Sequence, residues 1–225
     1  MKSLWTHKIM KKENESLVKI PAGKIILEGN LNIPKNAKGI VLFAHGSGSS
    51  RFSPRNKYVA DVLNKANIAT LLIDLLTKEE EKIDDVTAHL RFDIDLLSER
   101  LIYATDWLKK NPDTTNLKIG YFGASTGAAA ALVAAAKLQS VYAIVSRGGR
   151  PDLARDYLEN VKAPTLLIVG GNDTIVIDLN KEAMKKLSIE NKLEIVKGAS
   201  HLFEEPGALE KVAKLAAYWF KKYLK

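Results

Sequence analysis

Short apolar runs alternate with amphipathic stretches along the chain. "GIVLFAHG", "ATLLIDL", "LKIGYFG", "VYAIVS" and "APTLLIVGG" are continuously apolar, the pattern of strands covered on both faces. "KLEIVKG" reads as the last strand. "SLVKIP" and "KIILEGNLNIP" read as a strand pair around the turn Pro21-Ala22-Gly23. Helical patterns lie between the strands. "SPRNKYVADVLNKAN" offers Ser53 as N-cap and Pro54 at the first helical position. "DDVTAHLRFDIDLLSERLIYATDWLKKNP" carries a long helix, apolar at Leu90, Ile94, Leu97, Leu101, Ala104 and Leu108 and stopped at Pro112. "STGAAAALVAAAKL", "DLNKEAMKKL" and "GALEKVAKLAAYWFKKYL" supply three more helices.

Strands alternating with helices predict an α/β fold: a mainly parallel sheet of about seven or eight strands, antiparallel at its start and flanked by helices. Right-handed crossovers bring every strand-to-helix loop to the carboxyl edge of such a sheet, so catalytic groups belong there. The loops are "HGSGSSRFS", "DLLTKEEE", "GASTG", "SRGGRPD", "GGNDTIV" and "GASHLFEEPG". The links "LTKEEEKIDD" and "SRGGRPDLARDYLENVKAP" are too short for a separate helical cap domain.

Composition narrows the picture. The 225 residues suit one domain spanning 1–225, with no repeat or Pro/Gly linker. With no cysteine, disulfides, thiolate metal sites and a cysteine nucleophile are excluded. The start, "MKSLWTHKIMKKENES", is polar where a secretory signal needs an apolar stretch, and no run is long enough to span a membrane, so a cytoplasmic protein is expected. The net charge of +8 comes mostly from lysines interleaved with acids, as in "TKEEEKIDD" and "NKEAMKKL". These read as solvated faces; without a basic stripe carrying aromatics, neither nucleic acid nor a membrane is expected as partner. The oligomeric state stays open, a homodimer included.

"YFGASTGAAA" then carries the chemistry. Gly123-Ala124-Ser125-Thr126-Gly127 sits between a strand and an alanine-rich helix, as a G-x-S-x-G nucleophile elbow does. A serine hydroxyl is a weak nucleophile and needs a base. Of four histidines, His201 alone lies in a loop after the last strand. Asp173, directly after "TLLIVGGN", is the expected orienting carboxylate, with Asp152 in "GGRPD" as its rival. The order Ser125, Asp173, His201 suits this architecture. His45 reads as a loop organiser bonding backbone, His89 as a group at the start of the long helix, and His7 as a surface residue. Two oxyanion donors are expected: the backbone N–H of Thr126 and, from the glycine-rich loop, that of Ser47. Neither G-x-G-x-x-G nor G-x-x-x-x-G-K occurs in that loop, so it is not read as a phosphate-binding loop.

"HGSGSSRFSPRN", "LLIDLLTKEEE", "RFDIDLL", "GYFGASTGAAAAL", "SRGGRPD", "GGNDTIV" and "GASHLFEEPG" together resemble the α/β-hydrolase superfamily, and within it the small dienelactone hydrolase-like group. Dienelactone hydrolases proper use a cysteine nucleophile, so the resemblance implies a serine-nucleophile member of esterase type. The expected reaction is cleavage of a small-molecule carboxylic ester with a short acyl group through an acyl-enzyme, in the carboxylesterase class, without metal or organic cofactor. Acyl transfer, or thioester or amide cleavage, would use the same three groups. A non-catalytic binding module on this scaffold is a further alternative. Arginines are few, and four of the seven follow strands at the loop edge: Arg51, Arg55, Arg147 and Arg150. Each could tie a loop together. Alternatively Arg51 or Arg147 receives an anionic group on the substrate.

Overall fold

A computed structural model describes residues 15–225; the reading of His7 as a surface residue lies outside the described residues. Among the described residues, eight strands form one sheet: β1 (Glu15–Ala22), β2 (Ile25–Asn32), β3 (Gly39–Ala44), β4 (Ala69–Ile73), β5 (Lys118–Ala124), β6 (Val141–Arg147), β7 (Thr165–Gly170) and β8 (Asn191–Val196). Their order is β1-β2-β4-β3-β5-β6-β7-β8. β1 pairs antiparallel with β2, and β2 antiparallel with β4; the remaining pairs are parallel. The apolar runs explain this order. β3, β4 and β7 are buried along their whole length, whereas the edge strand β8 is half exposed.

Side chains alternate along each strand and feed two layers. In β3, Ile40 and Leu42 point into one layer with Leu97, Leu101 and Leu132. Val41 and Phe43 point into the other with Leu63, Val212 and Phe220. The first layer is covered by α3 (Ile94–Lys110) and α4 (Thr126–Lys137), the second by α1 (Pro54–Lys65) and α6 (Ala208–Tyr223). α5 (Thr174–Lys186) follows β7. Phe43 and Phe122 meet with ring centroids 4.9 Å apart and fasten β3 to β5 beneath the loops that matter. No helix among the described residues is long and apolar enough to cross a membrane.

The caps follow the residues. Ser53 accepts from the Asn56 N–H at 3.3 Å, and Pro54 opens α1 as expected. Two expectations fail. The segment read as a link after β4, solvated as expected apart from the buried Asp84, folds as α2 (Lys78–Thr87), held by a capping box. The Glu80 N–H donates to Thr77 Oγ1 at 3.1 Å, and the Thr77 N–H to Glu80 Oε2 at 2.8 Å. The long helix is also interrupted. Ala88 takes a left-handed conformation with φ of 55°, Leu90–Phe92 form a single 3-10 turn, and α3 starts only after Asp93 caps it. The buried carboxylate of Asp84 stabilises this break by accepting from the Arg91 N–H at 3.0 Å and Arg91 Nε at 2.6 Å. His89 therefore does not begin a helix; it is exposed and hydrogen-bonded to Thr87. The link after β6 contains 3-10 turns over Pro151–Asn160 with a kink at Arg155.

Candidate active site

Ser125 ends β5 and opens α4 with φ of 51° and ψ of −121°, a conformation that side-chain-bearing residues adopt only under constraint. The constraint is close packing. A Cβ on Gly123 would overlap the backbone of Ala128, and one on Gly127 would overlap the carbonyl oxygens of Ala44 and His45. These two positions let the β3 loop and the start of α4 approach closely enough to hold the serine at the turn. Hydrogen bonds complete the hold: the Ser125 N–H donates to the Arg147 carbonyl, and the Arg150 N–H to the Ser125 carbonyl, both at 3.2 Å.

Asp173 occupies the N-cap position of α5 but makes no capping bond with its side chain. Its carboxylate instead accepts from His201 Nδ1 at 2.6 Å. A carboxylate is acceptor-only, so the contact places the ring proton on Nδ1 and leaves Nε2 as the basic nitrogen. The loop carrying His201 is tied on both sides. Glu205 accepts the Ser200 N–H at 2.9 Å, and the Asn172 N–H donates to the Ala199 carbonyl at 2.9 Å. A Cβ on Gly148 would lie 3.5 Å from the His201 ring, so the segment bonded to Ser125 also flanks the histidine. Asp152 turns elsewhere, accepting from Arg150 Nε at 2.9 Å and Nη2 at 2.8 Å. That bidentate pair leaves Asp173 as the acid at His201.

The glycine-rich loop after β3 packs on the elbow; a Cβ on Gly46 would stand 3.0 Å from that of Ser125. His45 braces the loop. The Leu75 N–H donates to its Nε2 at 3.1 Å, which puts the proton on Nδ1, 3.0 Å from the Gly46 carbonyl. Burial lowers its pKa against the opposing pull of the Gly46 carbonyl and Asp74, so the ring is held neutral. The Ser47 N–H, expected as an oxyanion donor, points at the elbow but donates to Thr126 Oγ1 at 3.1 Å. The Thr126 N–H is among the first amides of α4, which have no intrahelical acceptor.

A cavity of about 280 Å³ opens beside Ser47 and Thr126, walled by Leu75, Leu76 and Leu97 and by the acids Glu81, Asp84 and Asp85. Burial, with Asp74 and Asp85 nearby, raises the pKa of Glu81. This acidic wall was not legible as a site residue set, although the Thr77-x-x-Glu80 capping signature could have signalled a helix over the loop.

The two arginines singled out for an anionic group differ. Arg51 is a loop tie, which corrects its reading as a substrate ligand. Its guanidinium pairs with Asp74, donates to Glu28 at 2.7 Å and to Asn30 at 3.0 Å, and stacks 4.3 Å from the Phe52 ring centroid. Arg147 is equally buried, yet its Nε and Nη1 have no acceptor among the described residues.

A mostly parallel eight-stranded sheet between helical layers, with no large cap among the described residues and a small-residue elbow between β5 and α4, is an α/β-hydrolase fold. More narrowly, the chain belongs to the dienelactone hydrolase family, whose model matches residues 27–224. It is 64% identical to a dienelactone hydrolase from Anabaena variabilis of known structure, covering 94% of this chain and 98% of that one with a TM-score of 0.92. Est1E from Butyrivibrio proteoclasticus shares the fold at 17% identity and a TM-score of 0.76, over 92% of this chain and 98% of that one. A Mycobacterium tuberculosis protein bearing the name "Putative phosphoribosyl transferase" is 58% identical over 208 residues, 92% of this chain and 46% of the relative. The chain thus spans about half the length of the curated relatives it matches.

Proposed function

We propose that this chain is a serine hydrolase that cleaves carboxylic esters of small or short acyl groups through an acyl-enzyme. The observation that carries the reading is the carboxylate of Asp173, withheld from its helix cap and placed 2.6 Å from His201 Nδ1. In this reading His201 Nε2 takes the Ser125 hydroxyl proton as Oγ attacks the acyl carbon. The N–H groups of Thr126 and Ser47 hold the resulting oxyanion, the latter exchanging its bond to Thr126 Oγ1 for a stronger charge-assisted one. The imidazolium, stabilised by Asp173, returns the proton to the departing alcohol. Water, deprotonated by the same nitrogen, then releases the acid and regenerates Ser125.

The small cavity beside the oxyanion loop supports a short acyl group, since its volume lies at the lower end of ligand pockets. The transferase name of the M. tuberculosis relative is not carried over, because the groups gathered at this sheet edge suit acyl chemistry. The test is labelling with a fluorophosphonate probe followed by peptide mapping, alongside a panel of nitrophenyl esters. Modification at Ser125 with turnover of short esters is expected; an unlabelled Ser125 in a protein that cleaves no ester overturns the reading.

A further inference from the structure

Arg147 is an exception among the arginines of this chain. The other buried or partly buried ones each face a carboxylate: Arg51 faces Asp74 and Glu28, Arg55 faces Glu204, Arg91 faces Asp84, Arg100 faces Glu80 and Arg150 faces Asp152. Arg147 makes no ion pair among the described residues, although its relative exposure is only 8%. Its Nε and Nη1 are buried without an acceptor. A second cation adds to the imbalance. Arg55, reaching over from α1, also has a buried Nε without an acceptor, while its Nη1 lies 3.2 Å from Glu204 in the His201 loop. Burial, reinforced by the positive charge of Arg55, pushes the Arg147 pKa down to about 10, so the side chain remains cationic at neutral pH. Two neighbouring guanidinium groups with unused inward donors form a site lacking its negative charge, since a buried unpaired cation is strongly unfavourable.

Position ties this site to the reaction. Arg147 pairs with Ala124 across β5 and β6, and its carbonyl accepts the Ser125 N–H at 3.2 Å. Neighbouring strands run about 4.8 Å apart, so the pairing sets the Arg147 backbone directly beside the elbow that carries the serine. β6 lies on the side of β5 away from β3, whose loop lines the acidic cavity. The acids of that cavity are answered in part by Arg91, which lines it too and pairs with Asp84 and Asp85, whereas Arg147 has no carboxylate partner among the described residues. We propose that Arg147, with Arg55 beside it, receives a carboxylate or phosphate group carried by the substrate of the Ser125 site. The proposal rests on the hydrolytic reading above for the word substrate; the anion receptor itself does not.

The experiment compares 4-nitrophenyl butyrate with the 4-nitrophenyl hemisuccinate, which has the same acyl length and a free carboxylate. Melting temperatures are taken with and without inorganic phosphate or succinate. Arg147→Met is expected to lower the ratio of kcat/KM on the anionic ester to that on the neutral one by about ten- to a hundredfold. It should leave the anion-free melting temperature level or higher and abolish the rise caused by anions. Arg55→Gln, at a more exposed position, should reduce that rise and covers the case in which Arg147→Met fails to fold. A larger rise with phosphate than with succinate identifies a phosphate-bearing ligand, and the reverse a carboxylate. An unchanged ester ratio overturns the proposal, as does an anion-free melting temperature that drops sharply in Arg147→Met while Arg55→Gln keeps the full anion response. If the wild type cleaves neither ester, the hydrolytic reading fails separately. The anion-induced rise then decides alone: its loss in both variants upholds the receptor, and its absence from the wild type overturns it.

Discussion

His201 Nδ1 lies 2.6 Å from the carboxylate of Asp173, although Asp173 stands where a helix cap would normally turn its side chain inward. The contact fixes the tautomer that a general base needs. Ser125→Ala should lower turnover of a short ester by about a millionfold with an unchanged circular dichroism spectrum. Asp173→Asn should lose about ten-thousandfold, because the amide favours the wrong tautomer. Asp152→Asn should stay within about threefold, since it breaks only a partly exposed pair with Arg150. A reversed order for the two aspartates, read from kcat, would assign the acid to the loop after β6.

Thr126 bears on the same step through its hydroxyl. It accepts the Ser47 N–H and is buried, so Thr126→Val keeps the shape and removes the acceptor. A neutral hydrogen bond is worth about 1 kcal/mol, and losing it should let the loop drift and lower kcat about fivefold. A rise in kcat would instead mean that freeing the Ser47 donor for the oxyanion outweighs the loss of loop order.

The neutral, buried His45 predicts a pH dependence of stability. Its folded pKa is lowered below the ordinary 6.5, so under acid the unfolded chain binds a proton that the folded site resists. Stability is therefore lost as pH falls through 6.5, by at most about 1.4 kcal/mol per pH unit from this group. His45→Gln should be less stable than the wild type at pH 7.5, and the gap in melting temperature should narrow at pH 5.5. A gap independent of pH would assign the acid sensitivity to other groups.

How much of this could be read from the sequence depended on range. The buried strands announce themselves because a strand covered on both faces has no charged positions, and β3, β4 and β7 are such cases. The candidate residues Ser125, Asp173 and His201 could be nominated because the topology sends every βα loop to one edge. What failed was decided by contacts between distant side chains. The break before α3 depends on Asp84 gripping Arg91 and on Ala88 turning left-handed, and neither is signalled by hydrophobic period. α2 was legible but missed: Thr77 and Glu80 have capping-box spacing, obscured by a run of charges. The difference between Arg51 and Arg147 lies wholly in which carboxylates the fold brings near each.

Acyl length supplies a fourth prediction. Each methylene that gains no enclosure forgoes about 0.8 kcal/mol, and a cavity of about 280 Å³ cannot surround a long chain. kcat/KM should peak between acetate and hexanoate esters and fall by decanoate, without activation at an oil–water interface. Greater efficiency on palmitate than on butyrate would mean that the acyl chain runs on into the larger hollow that shares Ser50, Leu76 and Glu81 with this cavity.

The alanine-rich helix behind the serine also bears on how the protein should fail. All ten residues from Thr126 to Ala135 are buried, enclosed by the sheet, α3 and the 3-10 turns of Pro151–Asn160. A segment with no solvated face has no partial opening available to it, so its amides should be among the last to exchange with deuterium. The strained turn is attached to the start of that segment. It cannot relax by fraying while the rest of the molecule stays folded, so heat should extinguish activity and unfold the sheet in one event.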